Sequence, residues 1–319
     1  MMTHYDMICL AGPTASGKSG LAVAIARQCN GAIINTDSMQ VYTGIPIISA
    51  VPDETEQNGV PHYLFGHIDP ARRYSQADWL QAATDALASI RANGQIPILV
   101  GGTGFYFKAA IEGIVPMPEI STDIKAKAVA MLDEYGNEEL YNQLADIDPA
   151  LAQRLAPGDS QRLLRGMEIW LATNIPLSQW QKGIPRGQLD GHMLCVYLRP
   201  PRAALYQRIN ARFEHMISYG AVDEISALHD RKLDESLPAM KAVGMLPILE
   251  MLDGKIDISK ATQLAQRDSR RYAKRQFTWF DHQYNSDVVI DYFPEDAHRE
   301  RALQTILSNY QKEFVLKTC

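Results

Sequence analysis

Short apolar runs alternate with amphipathic segments over the first hundred residues. Three of these runs end in glycine or polar residues, as buried strands of a parallel sheet do: 7–10, 32–34 and 96–100. Before the third run, apolar side chains recur at helical spacing, with Ser75 placed as an N-cap and Gly94 as a stop signal. Because strands that alternate with helices build a parallel sheet covered on both faces, the pattern predicts an α/β fold.

The pattern changes near residue 120, where helical periodicity takes over and strand-like runs stop. Prolines break this segment at four positions: Pro149, Pro157, Pro176 and Pro185. We therefore expect an all-helical insertion domain at 120–190, placed between the two parts of a catalytic core domain at 1–119 and 191–319.

The sequence after the insertion predicts a return to the first sheet. The apolar run 193–198 predicts a strand, and 202–219 predicts the helix that follows it. The chain is then helical in character through Phe280, with a late apolar run at 288–290 and a final helix near 297–316.

Composition indicates a globular chain without a membrane-spanning segment. The 319 residues are 46% hydrophobic, yet nowhere do about 18 apolar residues follow one another, and the first residues carry no basic leader. Four cysteines lie far apart without a CxxC pair, which argues against a zinc ribbon or a disulfide framework: Cys9, Cys29, Cys195 and Cys319. We expect a soluble, cytoplasmic monomer with no membrane contact and no protein partner.

The most specific motif is a glycine-rich loop between the first predicted strand and its helix. Eight consecutive residues fit the GxxxxGK[ST] pattern of a phosphate-binding loop: Gly12, Pro13, Thr14, Ala15, Ser16, Gly17, Lys18 and Ser19. Backbone N–H groups of such a loop bind phosphate oxygens, Lys18 adds positive charge, and the Ser19 hydroxyl is a ligand for Mg²⁺. The motif predicts a diphosphate or triphosphate ligand without saying which, and an ordinary glycine turn is the alternative.

An ATPase with this loop also needs a strand that ends in a metal-holding aspartate. Asp37, after the second apolar run, and Asp291, after the late one, are candidates. The run at 96–100 is followed instead by Gly101, Gly102, Thr103 and Gly104, without a carboxylate. The sequence therefore does not establish the metal site of a standard ATPase.

Positive charge is concentrated near the C-terminus of an acidic chain. The net charge is −6, yet residues 267–275 contain five basic residues and one acidic residue. A stripe of residues recurs at helical spacing and ends in two aromatic residues, which favours a basic and aromatic surface for RNA: Arg267, Arg270, Arg271, Lys274 and Thr278, followed by Trp279 and Phe280. A solvated charged helix face is the alternative.

Several segments, taken together, resemble the tRNA dimethylallyltransferase family. They are the glycine-rich loop, residues 37–42 (DSMQVY), 101–103 (GGT), 106–108 (YFK), 159–165 (DSQRLLR) with Glu168, 272–276 (YAKRQ) and 278–280 (TWF). The resemblance covers roughly residues 6–281. It implies a P-loop NTPase-like parallel sheet covered by helices, with a helical insertion that contacts tRNA.

The resemblance implies a specific reaction. In the family, N6 of the adenine 3′-adjacent to the anticodon attacks C1 of dimethylallyl diphosphate, and diphosphate leaves. Asp37 is then the group that accepts the N6 proton. Lys18, Thr103 and Arg212, with the loop amides, stabilise the charge of the departing diphosphate. From the residues alone, Asp37 is equally explained by an Asx turn, Thr103 by a turn hydroxyl, and Arg212 by a side chain extended into solvent.

The resemblance also implies contacts with the anticodon stem-loop of tRNA. The residues concerned are Asp37, Ser38, Met39, Gln40, Gln161, Arg162, Leu163, Leu164, Arg165, Lys241, Arg271, Lys274, Arg275, Gln276 and Trp279. An enzyme that modifies a base beside the anticodon must take that base out of its stack, so phosphate and stacking contacts are needed. For Arg165, a salt bridge to Glu168 is the alternative.

Three departures from the family pattern fall on the expected RNA contacts. Val51 stands where the family has a lysine, Met245 and Leu246 stand in place of a tyrosine and an arginine, and Asp281 replaces an arginine. Each change removes positive charge or an aromatic ring. We therefore expect weaker tRNA binding and an unchanged reacting centre.

Other protein classes fit parts of the sequence. A prenyltransferase for free adenine nucleotides needs the loop and Asp37, but it has little use for the insertion and the basic helix. A small-molecule or nucleoside kinase uses the same loop for ATP. An RNA-binding module with a degenerate loop predicts tRNA binding without turnover.

Overall fold

The computed structural model describes residues 5–311, apart from the side chains of residues 296 and 311. Its strands are β1 (Met7–Ala11), β2 (Gly31–Asn35), β3 (His62–Tyr63), β4 (Ile96–Gly101), β5 (Met193–Leu198) and β6 (Val288–Ile290). Its α-helices are α1 (Lys18–Cys29), α2 (Pro46–Ser49), α3 (Glu54–Gln57), α4 (Gln76–Ala92), α5 (Gly104–Glu112), α6 (Thr122–Ile147), α7 (Pro149–Ala152), α8 (Ser160–Thr173), α9 (Leu177–Trp180), α10 (Arg202–Ser218), α11 (Ala221–His229), α12 (Met245–Leu252), α13 (Ile258–Gln283) and α14 (Arg299–Gln311). Short 3₁₀ helices occupy Pro238–Lys241 and Asp296–His298.

The strands form one parallel sheet in the order β3-β2-β4-β1-β5-β6. β1 lies inside the sheet, where Ile8 pairs with Ile98 of β4 on one side and with Leu194 of β5 on the other. Parallel strands end at the same edge, so the connections after β1, β2 and β4 lie together there. The parallel α/β sheet expected from the apolar runs is confirmed.

The apolar runs form strands because the sheet is buried on both faces. Every residue of β1 and β2 is buried, and α1 contributes Leu21 and Ile25 to the core beside the sheet. A second apolar cluster includes Tyr42, Phe213 and Ile248, and it joins the segment after β2 to α10–α12. The sheet and the C-terminal helices are thus held by large apolar clusters rather than by surface ion pairs.

Most expected elements agree with the structure to within two residues at each end. Ser75 caps α4 by accepting a hydrogen bond from the N–H of Asp78, and β5 and β6 occupy the expected residues. β3 was not expected, because its two half-buried residues show no apolar pattern. They form a strand only through backbone pairing with β2. The final helix runs over Arg299–Gln311, and the expected part beyond residue 311 lies outside the described residues.

The chain divides into a core unit, before residue 112 and after residue 188, and an insertion unit, 112–188. The insertion unit is helical, as expected. It starts eight residues before the expected start at residue 120 and ends two residues before the expected end at residue 190. Its core includes Leu140, Leu144 and Leu163. Gly136, with φ of 75°, interrupts α6. No helix of residues 5–311 is both long and apolar enough to cross a membrane.

Candidate active site

The glycine-rich loop joins β1 to α1 at the carboxyl edge of the sheet. Ala15 and Gly17 have positive φ values of 62° and 87°, so the loop curls and the N–H groups at the start of α1 stay uncapped by side chains. The first turn of α1 contains no acidic residue. The hydroxyl of Ser16 is buried and has no hydrogen-bond partner. A loop with free donors at a helix N-terminus is a site for an anion.

Two cations lie beside this loop. Lys18 Nζ donates to the carbonyl of Pro13 at 3.1 Å, and Arg212 Nη1 donates to Thr14 Oγ1 at 3.3 Å. Arg212 therefore faces the loop, and the alternative of a side chain extended into solvent is wrong. Burial lowers the pKa of Lys18 to about 8, with Asp37 acting in the opposite direction and Arg212 lowering it further. A bound anion would stabilise both charges.

Asp37 follows β2 and is held on both sides by hydrogen bonds. Its backbone N–H donates to Asn35 Oδ1 at 2.9 Å, and Asn35 Nδ2 donates to its carbonyl at 3.0 Å. Asp37 Oδ1 accepts from the N–H of Met39 at 3.0 Å, so the Asx turn is present. That bond occupies one carboxylate oxygen, and Oδ2 is left for another role.

Thr103 links the connection after β4 to the connection after β2. Its Oγ1 accepts from the N–H of Ser38 at 2.9 Å and donates to the Ser38 hydroxyl at 3.2 Å. The Thr103 hydroxyl is thus hydrogen-bonded within the protein, as the alternative of a turn hydroxyl predicted. This contact positions Ser38 and, through it, the adjacent Asp37.

Gln276 of α13 joins the glycine-rich loop to the connection after β4. Its Oε1 accepts from the N–H of Thr14 at 2.9 Å, and its Nε2 donates to the carbonyl of Gly102 at 2.9 Å. The residue is only 5% exposed. The expected tRNA contact for Gln276 is therefore wrong, because both ends of the amide are used to hold the site together.

Three residues near the loop were not expected from the sequence. Arg208, one turn before Arg212 on α10, donates to both carboxylate oxygens of Glu295 at 2.5 and 2.6 Å. That carboxylate lies against Gly17, 3.0 Å from where a Cβ atom would be. Tyr272 lies near Asp37, and burial raises its pKa so that the hydroxyl keeps its proton. The sequence signals were the i, i+4 spacing of Arg208 and Arg212 and the place of Tyr272 in the motif at 272–276. Glu295 is brought to the loop by the fold.

The basic residues near the C-terminus line a groove along one face of α13. The groove has a volume of about 660 Å³ and is lined by Arg271, Lys274, Arg275, Thr278, Trp279, His282 and Gln283. Arg271, Lys274, Arg275 and Thr278 are exposed. Asp268 forms ion pairs with Arg267 at 2.9 Å and with Arg271 at 3.8 Å. The expected basic stripe thus lies along one exposed face of α13.

The residues expected to contact tRNA in the insertion unit differ in accessibility. Gln161 and Arg162 are exposed, and Arg165 forms the alternative salt bridge to Glu168 at 3.2 Å. Leu163 is fully buried in the helical core, and Leu164 packs against that core while partly exposed. A direct tRNA contact by the side chain of Leu163 is therefore wrong.

The remaining expected tRNA contacts belong to the core unit. Ser38 is half-buried at the site, Met39 packs partly against the second apolar cluster, and Lys241 is exposed. Gln40 Nε2 donates to the carbonyls of Ser49 and Ala50 at 3.1 and 2.8 Å. These two bonds use the amide nitrogen and do not involve the side-chain oxygen.

Two of the departures from the family pattern have structural roles. Met245 is fully buried in the second apolar cluster. The side chain at this position therefore packs in the core, and the absence of an aromatic ring there is not a lost RNA contact. Asp281 accepts from Arg199 Nε at 2.8 Å and from the Tyr197 hydroxyl at 3.1 Å. Leu246, in contrast, is exposed.

Comparison with known proteins identifies the family. The chain matches the family model IPP transferase over residues 40–283 and the model Isopentenyl transferase over residues 5–65. It is 47% identical to the tRNA dimethylallyltransferase of Hyphomonas neptunium over 281 residues, which cover 88% of this chain and 89% of that protein. The chain belongs to the tRNA dimethylallyltransferase family. It is therefore a transferase, and the resemblance carried by the motifs is confirmed.

Solved structures of this family share the fold. A tRNA isopentenylpyrophosphate transferase from Bacillus halodurans is 31% identical, with a TM-score of 0.69 and coverage of 99% of this chain and 100% of that one. A eukaryotic dimethylallyltransferase acting on tRNA is 26% identical, with a TM-score of 0.79 and coverage of 96% and 79%. These similarities confirm the P-loop NTPase-like sheet.

Replacement of Gln276 by alanine tests the link between α13 and the loop. The change leaves the N–H of Thr14 and the carbonyl of Gly102 without partners, and each unsatisfied group costs about 1–3 kcal/mol. We expect a lower free energy of unfolding in urea and weaker binding of inorganic diphosphate by calorimetry. Gln263→Ala, an exposed position on the same helix, should change neither quantity. Equal behaviour of the two variants would contradict the link.

Proposed function

We propose that the protein transfers a dimethylallyl group from dimethylallyl diphosphate to N6 of the adenine 3′-adjacent to the anticodon of tRNA. The observation that carries this proposal is the hydrogen-bonded placement of Asp37 beside an anion site. The Ser38–Thr103 bonds hold the loop of Asp37, and Lys18 and Arg212 face the glycine-rich loop. A proton acceptor next to a site for departing negative charge is what this substitution requires.

The chemistry follows from the charges that develop. The N6 lone pair forms a bond to C1 of the donor, the C1–O bond breaks, and its electron pair leaves on the diphosphate. Asp37 accepts the proton that N6 loses. Lys18, Arg212 and the loop N–H groups receive the diphosphate charge, and the unpartnered hydroxyl of Ser16 is a further donor. Because these groups are fixed before the bond breaks, little reorganisation is needed in the transition state.

The groove along α13 is proposed to bind the anticodon stem-loop. Arg271, Lys274 and Arg275 offer positive charge on a chain whose net charge is −6. Trp279 adds an aromatic surface to the same groove. Phosphates supply most of the affinity of such contacts, and unpaired bases supply stacking. A prenyltransferase for free nucleotides would not require a groove of this size and charge.

Mg²⁺ is the metal proposed for the diphosphate site. Residues 5–311 contain no group of three histidine, cysteine or acidic side chains that could hold a metal by themselves. The exposed hydroxyl of Ser19, in the first turn of α1, fits a metal that takes most of its ligands from diphosphate and water. When bound, Mg²⁺ neutralises part of the diphosphate charge.

The direct test is to incubate the protein with unmodified tRNA and dimethylallyl diphosphate and to analyse the nucleosides by mass spectrometry. Prenylated adenosine is the expected product. A parallel melting experiment with dimethylallyl diphosphate and with ATP separates a prenyltransferase from a kinase, because a ligand that binds the folded state raises the melting temperature. Phosphate transfer from ATP without use of the prenyl donor would overturn the proposal.

Asp37→Asn separates the two roles of the carboxylate. Asparagine keeps an oxygen for the N–H of Met39 and so retains the Asx turn, but it is not a proton acceptor at neutral pH. We expect the rate of prenyl transfer to fall by about 10²–10⁴, with tRNA affinity nearly unchanged in a binding assay. Asp85→Asn, on exposed α4 surface, is the matched control. If the Asp37→Asn variant transferred the prenyl group at the parent's rate, Asp37 would not be the proton acceptor.

The pKa of Lys18 predicts how diphosphate binding depends on pH. Lys18 is protonated below its pKa of about 8, so its contribution is fully present there and is lost as pH rises through that value. Calorimetry with an unreactive thio analogue of dimethylallyl diphosphate should show affinity decreasing above pH 8, by at most about tenfold per pH unit. Lys18→Arg should bind without this decrease, because arginine stays charged. The same slope in both proteins would contradict this assignment.

Lys274→Ala tests the groove. If Lys274 contacts a phosphate, the slope of log affinity for tRNA against log salt should become shallower by roughly 0.7–0.9. Lys260→Ala, an exposed lysine of the same helix outside the groove, should leave the slope unchanged. If the two variants behave alike, the groove is only a solvated surface.

A further inference from the structure

Phe105 is an exposed aromatic residue at the edge of the candidate active site. It is the second residue of α5 and follows Thr103 by two positions. Phe105 is 62% exposed, although its helical neighbours Tyr106 and Phe107 are buried. A single exposed apolar residue is ordinary, so its surroundings decide whether it has a role.

The indole of Trp279 lies next to the ring of Phe105. Their ring centroids are 6.3 Å apart and the ring planes are inclined by 54°. Trp279 packs onto Gly104, where a Cβ atom would be 2.2 Å from the indole, and it meets buried Phe280 edge-on at 5.2 Å. The absence of a side chain at residue 104 therefore lets the indole reach the start of α5.

The backbone that carries Phe105 is also held in place. Gln76 Nε2 donates to the carbonyl of Phe105 at 2.6 Å. On the other side, Thr103 is bonded to Ser38, next to Asp37. The exposed ring is thus tied by a short stretch of backbone to the residue proposed to accept the proton. Little conformational entropy would be lost when a flat ligand stacks there.

The charges around the two rings favour one class of ligand. Trp279 also lines the groove of α13, whose other lining residues include Arg271, Lys274 and Arg275 and no acidic residue. A ligand that combines flat aromatic groups with regularly spaced negative charge matches aromatic rings beside cations. Single-stranded RNA has this chemistry, whereas an apolar peptide or a second copy of this acidic chain does not.

We propose that Phe105 and Trp279 form a stacking platform for an unpaired nucleobase adjacent to the reacting adenine. The cations of the α13 groove bind the phosphates of the same strand. Phe105 is thus a positioning residue that keeps the reacting nucleotide out of its helical stack. This inference rests on the proposed function and identifies the part of the RNA that the site recognises beside the adenine.

The test compares Phe105→Leu, Phe105→Tyr and the parent on a synthetic anticodon stem-loop. Leucine keeps an apolar side chain without a flat ring, and tyrosine keeps the ring. We expect Phe105→Leu to raise the KM for RNA at least about fivefold, and Phe105→Tyr to restore it, with the KM for dimethylallyl diphosphate unchanged in both. Tyr219→Leu, at an exposed aromatic of the same core unit that is 67% exposed, should have no effect.

Abasic nucleotides identify the stacked base. Stem-loops with one abasic position on either side of the reacting adenine are assayed with each variant. At the partner position, the parent should lose affinity and Phe105→Leu should add no further loss. Equal RNA affinities of the parent and Phe105→Leu, or additive losses at every abasic position, would overturn the platform.

The outcome can be separated from a failure of the proposed function. Binding of the stem-loop is also measured without any prenyl donor, so the comparison of Phe105→Leu with the parent does not depend on turnover. A parent that binds the stem-loop through Phe105 but transfers no prenyl group would overturn the proposed reaction and support the platform. If the parent transfers the prenyl group and Phe105→Leu binds and uses the stem-loop equally well, the reaction is supported and the platform is overturned.

Discussion

Contact between backbones at the carboxyl edge of the sheet is the constraint on which the site depends. A Cβ atom at Gly101 would lie 2.0 Å from the carbonyl oxygen of Thr36, and one at Gly102 would lie 3.3 Å from that of Gly12. Neighbouring backbone cannot move aside as the end of a flexible side chain can. The three connections that form the site therefore meet because glycine stands at these positions.

Polar side chains of the scaffold then set the distances between these connections. Gln276 bonds to two of them, Thr103 joins a third through Ser38, and Asn35 holds Asp37 from both sides. Buried amides of this kind must be fully bonded, so they also fix the arrangement that satisfies them. The residues proposed to act on substrate are thereby positioned by hydrogen bonds from neighbouring side chains.

Charge is distributed differently in the two halves of the site. Beside the glycine-rich loop, Lys18 is held near Arg212 at an energetic cost that a bound diphosphate would offset. Along α13, Lys274 and Arg275 are exposed, so they keep their hydration and would act on a polyanion through its phosphates. The first arrangement suits a small, highly charged leaving group, and the second suits a long substrate held by many weak contacts.

The sequence by itself determined the parallel sheet, the glycine-rich loop and the family, because apolar runs and short motifs express local constraints that the chain carries wherever it is placed. It left open whether Arg212 faces solvent or the loop, and it assigned Gln276 to RNA. The tertiary structure decided both, since burial and hydrogen-bond partners depend on which helix packs against which loop. Glu295 beside Gly17 and Phe105 beside Trp279 are pairs separated by more than 150 residues, and no local pattern encodes their meeting.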